Sequence, residues 1–161
     1  MQATRSFYLP DLAATEAFGH SLADRLFPGA VIGLVGPLGA GKTHLVRAVA
    51  EGLGVADGRL VTSPTFVLIQ EYNARLPIFH FDAYRLRGEA EFDDLGVQEY
   101  YEAGGVCLIE WADRVPGSLP PEHLRITLDP TGPTSRRATL HAAGPRYEDI
   151  LCRLPAPAEP H

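Results

Sequence analysis

Between residues 30 and 53 the chain passes through three kinds of sequence in immediate succession. Ala30-Val31-Ile32-Gly33-Leu34-Val35 is apolar and rich in β-branched residues, which marks a buried strand. Gly36-Pro37-Leu38-Gly39-Ala40-Gly41-Lys42-Thr43 follows and matches the phosphate-loop pattern G-x-x-x-x-G-K-[ST]. Leu45, Val46, Val49 and Leu53 then fall on one helical face, and Gly54 suits a C-terminal cap. A strand, a glycine loop and a helix in this order constrain the chain to an α/β architecture in which the loop N–H groups and the helix N-terminus face an anion. Gly36, Gly39, Ala40, Gly41, Lys42 and Thr43 are therefore the expected phosphate-binding residues. Lys42 is the only lysine, against thirteen arginines. A compact ammonium on a flexible stem can reach between phosphates where a planar guanidinium is bulkier and wants a bidentate partner.

The rest of the sequence extends this unit into one α/β domain over residues 1–154, a three-layer fold with a central mixed sheet, followed by a disordered proline-rich tail at 155–161. Ser6 to Leu9 reads as a first strand. Asp11 reads as the N-cap of a helix from Leu12 to Phe27, with Phe18, Leu22 and Leu26 on one face. Phe66 to Glu71 and Ile78 to Phe81 read as strands joined by a polar turn, and Gly88 to Ala103 as two short helices broken at Gly96. Val106 to Ile109 is a buried strand and Ala112 to His123 a Pro/Gly-rich loop. Leu124 to Leu128 and Ala138 to His141 read as a closing antiparallel pair, and Tyr147 to Leu154 as the last helix.

Composition excludes several functions. No apolar run approaches the ~20 residues that cross a membrane, and the N-terminus lacks the order of a secretion signal. Cys107 lies in an apolar strand and reads as a small core residue; no Cys/His spacing suits a metal, and the expected compartment is the cytoplasm. The net charge of −6 argues against a stand-alone nucleic-acid binder.

A phosphate loop does chemistry only with a metal site and a water-positioning group. Thr43 is the first metal ligand by pattern. Two acids stand at the carboxyl ends of apolar strands: Asp82 after Pro77-Ile78-Phe79-His80-Phe81, and Glu110 after Val106-Cys107-Leu108-Ile109. Ligands of open α/β sheets bind at that edge, so at least one of the two acids is expected at the Mg²⁺ and water shell, without a division of roles between them. Thr62-Ser63-Pro64-Thr65-Phe66 is either a switch-like segment near the γ-phosphate or a simple Ser-Pro turn. Trp111 is either a core residue or a ring beside the site. His80 reads as packing in preference to catalysis, and Arg85 and Arg87 as exposed ion-pair partners, the commoner fate of such residues, in preference to groups that neutralise phosphate charge in cis.

Taken together, the phosphate loop, Val61 to Phe66, His80-Phe81-Asp82-Ala83-Tyr84-Arg85-Leu86 and Leu108-Ile109-Glu110-Trp111 resemble the TsaE (YjeE) family, the bacterial ATPases of tRNA threonylcarbamoyladenosine biosynthesis. The resemblance runs over nearly the whole chain. It implies a P-loop α/β fold with ATP and Mg²⁺ as ligands, the metal held by Thr43 and Glu110. It implies roles in activity or at the site for Lys42, Asp82, Thr65 and Trp111, and a place near the nucleotide for Arg136. It also implies an ATP hydrolase with TsaB and TsaD as partners, which meets tRNA only through them. Hydrolysis by the isolated chain is expected to be slow, because no arginine is established in cis and help in trans can be worth about 10³–10⁵; a monomer or weak self-association is expected. In that system TsaD transfers a threonylcarbamoyl group, from an adenylate made by TsaC, to adenosine 37. Two departures stand out: Pro37 where many members have Asp, which removes one loop N–H, and His44 where members often have Thr.

Two other functions fit the loop. A small-molecule kinase needs an arginine-bearing lid, whereas the arginines here are scattered and Gly88 to Ala103 is acidic. A nucleotide-gated binding module would hydrolyse nothing. A GTPase is disfavoured, because its Asn-Lys-x-Asp base-reading segment needs a second lysine.

Overall fold

The computed structural model describes residues 2–58, 61–62 and 68–155. Along the chain run β1 (Gln2–Leu9), α1 (Leu12–Ala23), β2 (Val31–Val35), α2 (Lys42–Gly52), β3 (Ile69–Tyr72), β4 (Ile78–Asp82), α3 (Glu89–Asp93), α4 (Val97–Tyr101), β5 (Val106–Glu110), β6 (His123–Pro130), β7 (Arg136–Ala143) and α5 (Pro145–Arg153). Among the described residues the strands form one sheet of seven, in the order β1-β7-β6-β2-β5-β4-β3. β6, β2, β5 and β4 are mutually parallel, while β7 is antiparallel to β1 and β6, and β3 to β4. The mixed α/β sheet expected from the sequence is the observed one.

The two halves of the sheet differ in how they are covered. β4 and β5 are buried at every position, because helices lie on both faces there. On one face Ile32, Leu34 and Leu108 join Leu45, Val46 and Val49 of α2, Phe18 and Leu22 of α1, and Ile150 and Leu151 of α5 in one core. On the other face Val31, Phe79, Phe81, Cys107 and Ile109 pack with Phe92 of α3 and Val97 of α4. β6 and β7 instead alternate buried and exposed residues, as a half-covered antiparallel region should. The second helical layer thus covers only the half of the sheet that carries β2, β5 and β4.

Local expectations and structure agree at most ends. Asp11 caps α1 by accepting a hydrogen bond from the Ala14 N–H at 2.8 Å, and Gly96 at φ +80° separates α3 from α4. Three expectations shift. α1 stops at Ala23 rather than Phe27, although Leu26 remains buried beyond its end. The β6–β7 pair does not close the sheet, because β1, which begins at Gln2 rather than Ser6, pairs along all of β7. Part of the strand expected from Phe66, and the proline-rich tail beyond Pro155, lie outside the described residues.

Cys107 is buried in β5 as the sequence implies, and burial pushes its thiol up to about 12 from 9.0. Above about pH 9 the unfolded chain releases this proton while the folded chain keeps it, so stability falls as pH rises, by about 1.4 kcal/mol per unit from this group. The gap in unfolding free energy between the wild type and Cys107→Ala should therefore narrow by about 1–1.5 kcal/mol between pH 8 and pH 10 in denaturant titrations. A constant gap would show that the thiol is not the titrating group.

Candidate active site

The site is assembled at the carboxyl ends of β2, β5 and β4 from the residues that follow each strand. After Val35 the chain turns through the glycine loop, closed by a hydrogen bond from the Ala40 N–H to the Pro37 carbonyl at 3.0 Å, and enters α2 at Lys42. Gly41 precedes the helix at φ +97° and supplies no side-chain cap, so the first N–H groups of α2 are left to an incoming anion. Gly41 is also required sterically, since a Cβ there would stand 1.5 Å from Nη1 of Arg136.

Parallel register brings the acids to the loop. Asp82 pairs with Glu110 across β4 and β5, and Glu110 pairs with Leu34 across β5 and β2. Both carboxylates are buried. The Thr43 hydroxyl, in the first turn of α2, donates to Glu110, at 2.9 Å from Oε1 and 3.1 Å from Oε2. Asp82 Oδ1 accepts the N–H of Tyr84 at 2.8 Å, which fixes its carboxylate at the end of the strand.

Lys42 is buried. Its ammonium donates to the carbonyls of Gly36 at 2.6 Å and Pro37 at 2.9 Å, and sits 3.9 Å from the centroid of the Trp111 ring. Burial lowers its pKa from 10.5, opposed by the charges of Glu110, Asp113 and Asp82. Trp111 directly follows Glu110 in the left-handed region at φ +60°, a conformation that costs a non-glycine residue of order 1–3 kcal/mol. That turn lays the ring over Lys42. Tyr84 packs on Trp111 with centroids 4.8 Å apart, and the Arg114 guanidinium lies over both rings. Lys42, Tyr84 and Trp111 line a cleft of about 420 Å³ together with Leu38 and His44. A second hollow, of about 520 Å³ between Arg25 and Arg153, has no glycine loop and no buried carboxylate along its wall.

Of the expected site residues, the structure gathers Gly39, Gly41, Lys42, Thr43, Asp82, Glu110 and Trp111 around one cleft, with Gly36 and Ala40 in the same loop. Trp111, left open between core and site, stands at the site. Arg136 does not line the cleft: it is buried against the loop, donating from Nη1 to the Ala40 carbonyl at 3.3 Å, and burial lowers its pKa. Thr65 lies outside the described residues. Arg87 pairs with Glu91 at the surface, as expected. His80 is buried, in keeping with its reading as packing, and its Nε2–H in addition donates to Glu110 Oε2 at 2.6 Å, a contact that reading did not include. Strand alternation was the available signal: His80 and Asp82, two apart in β4, share a face.

Hard oxygen donors suit Mg²⁺, which takes one or two protein oxygens and fills its remaining positions with phosphate and water. Thr43 Oγ1 and Glu110 Oε1, within 2.9 Å of each other beside the loop, fit that requirement. The described residues contain no cluster of three His, Cys, Asp or Glu side chains that could hold a metal without phosphate.

This sheet, loop and pair of strand-end acids define a P-loop NTPase-like protein. The family model described as "Threonylcarbamoyl adenosine biosynthesis protein TsaE" matches residues 9–138. The chain is 46% identical over 139 residues to the tRNA threonylcarbamoyladenosine biosynthesis protein TsaE of Bacillus subtilis, covering 86% of this chain and 85% of that one. It is 40% identical to the protein of the same name from Treponema pallidum, covering 78% and 92%. A crystal structure of Bacillus subtilis YdiB superposes with a TM-score of 0.80 at 37% identity, covering 96% of this chain and 95% of that one. The chain belongs to the TsaE family.

Gly41 and Gly39 give a paired test. Both have positive φ, but a Cβ at Gly39 meets nothing within 4 Å. Gly39→Ala should cost only the backbone term of about 1–2 kcal/mol. Gly41→Ala should cost more and should also displace Arg136. Denaturant unfolding of the two variants should rank them in that order, and equal losses would mean that the Arg136 contact carries no weight.

Proposed function

We propose that this protein is a Mg²⁺-dependent ATPase that supports threonylcarbamoyladenosine modification at position 37 of tRNA by acting on the TsaB–TsaD complex in the cytoplasm. The observation that carries the reading is the contact of Thr43 with Glu110 at the mouth of a phosphate loop whose lysine is the adjacent residue. Among the described residues no helix is long and apolar enough to cross a membrane.

The loop N–H groups and Lys42 bind the phosphates, and the α2 N-terminus adds its partial positive charge. Thr43 and Glu110 would hold Mg²⁺, which would supply charge neutralisation for the nucleotide phosphates. Asp82, beside Glu110 in register and fixed by the Tyr84 N–H, orients a water and takes its proton. The water oxygen bonds to the γ-phosphorus as the bond to the bridging oxygen breaks, leaving ADP and inorganic phosphate. Trp111 and Tyr84 wall one side of the cleft and limit access of bulk water. The acidic chain, at −6, meets tRNA through its partner complex rather than alone. The family names support the pathway, and Thr65 remains a proposed contributor by resemblance.

The test is phosphate release from Mg·ATP by the purified protein, alone and with TsaB plus TsaD. Release should be slow alone and rise with the partners. Asp82→Asn should lose about 10²–10⁴ in turnover while still binding nucleotide, and Lys42→Ala should lose both. Label transferred to a small acceptor would establish a kinase instead. Full tRNA modification with Lys42→Ala would overturn the ATPase reading.

A further inference from the structure

Glu110 is held from two directions. Oε2 accepts the Nε2–H of His80 at 2.6 Å, a bond between two buried side chains. Oε1 has only the Thr43 hydroxyl as its partner among the described residues, at 2.9 Å, and the same hydroxyl also reaches Oε2 at 3.1 Å. The two contacts come from different elements, β4 and α2, and together they fix the plane of the carboxylate. His80 Nδ1 is buried with no hydrogen-bond partner among the described residues, which fits a ring that carries its proton on Nε2 and spends it on Glu110. The ring does not line the cleft, so it acts on the site through the carboxylate.

Resting on the Mg·ATP reading above, we infer that His80 is a positioning residue that makes Glu110 a one-oxygen metal ligand and thereby sets a preference for Mg²⁺ over Ca²⁺. Oε2 is held by the short His80 bond besides its longer contact with Thr43, so Oε1, whose one contact is the Thr43 hydroxyl, is the oxygen freer to meet a cation. Mg²⁺ demands a small, near-octahedral set of single oxygens, whereas Ca²⁺ accepts a larger, irregular set and takes carboxylates through both oxygens. A carboxylate tethered at one oxygen suits the first ion, and an untethered one can turn to suit the second. Partners of this kind, one bond removed from the metal, typically change metal affinity about 10–100-fold when lost.

The experiment measures nucleotide binding by calorimetry as Mg²⁺ or Ca²⁺ is titrated, using the full chain as wild type, His80→Leu, which removes the donor, and His80→Gln, which retains an N–H. The half-saturating Mg²⁺ concentration should rise about tenfold or more in His80→Leu, with little change for Ca²⁺ and no change in nucleotide affinity measured in EDTA. His80→Gln should recover part of the Mg²⁺ response. A purely structural role for His80 would shift both metals and the EDTA affinity together, and that result overturns the inference, as does an unchanged Mg²⁺ requirement. A second readout needs no substitution: the imidazole Nε2 proton of wild-type His80 should be slow to exchange by NMR without metal and should persist when Mg·ADP binds. Its loss on metal binding overturns the inference. Wild-type protein that binds nucleotide without regard to metal overturns the Mg·ATP reading itself. Metal-dependent wild type with a matching His80→Leu variant overturns only the role of His80.

Discussion

The buried carboxylate of Glu110 is the point on which the rest of this structure turns. A carboxylate taken out of water must be met by hydrogen-bond donors or charge, or it will not stay there. Here Thr43 and His80 meet it directly, and Lys42 stands close enough for Glu110 to be the first charge opposing that lysine's loss of pKa. These donors come from α2 and β4, so the carboxylate ties together the helix after the loop, the strand that carries Asp82 and its own strand. A change in the position of any one of them would be felt at Glu110.

Those elements meet because of the way the sheet is covered. The strands that deliver the acids, β4 and β5, are buried at every position, and helices on both faces hold them and β2 in parallel register. The other half of the sheet is wet on one face and contributes a different part: Arg136, at the start of β7, reaches the loop through the Ala40 carbonyl. Loop geometry thus depends on a strand nearly a hundred residues away, and the absence of a side chain at Gly41 leaves space for that arginine.

In this arrangement the cation and hydroxyl of the loop are engaged by the protein's own groups. Lys42 is bound by loop carbonyls and covered by Trp111, and Thr43 is closed onto Glu110. Any anion entering the loop must replace these internal contacts with its own, so only the difference between the two sets would appear as affinity. The stretch that matches the TsaE family model, residues 9–138, contains both this loop and the strand-end acid with the tryptophan after it.

Much of this was legible from residue order alone. The strand–loop–helix unit, the Asp11 cap, the break at Gly96 and the acids at the ends of two apolar strands depend on spacing and on local backbone preferences, which short stretches of sequence carry. Partner choice across the sheet was not legible, because a hydrogen bond between residues 80 and 110, or 40 and 136, has no local trace. His80 looked like packing because its neighbours are apolar; only the register of β4 against β5 turned it toward Glu110. Trp111 could be core or site until its positive φ placed the ring on Lys42. By itself the sequence determined which residues could bind phosphate and metal, since that depends on side-chain chemistry and short-range spacing. The tertiary structure alone decided which of them touch, since strand register and helix packing are settled by burial over the whole sheet.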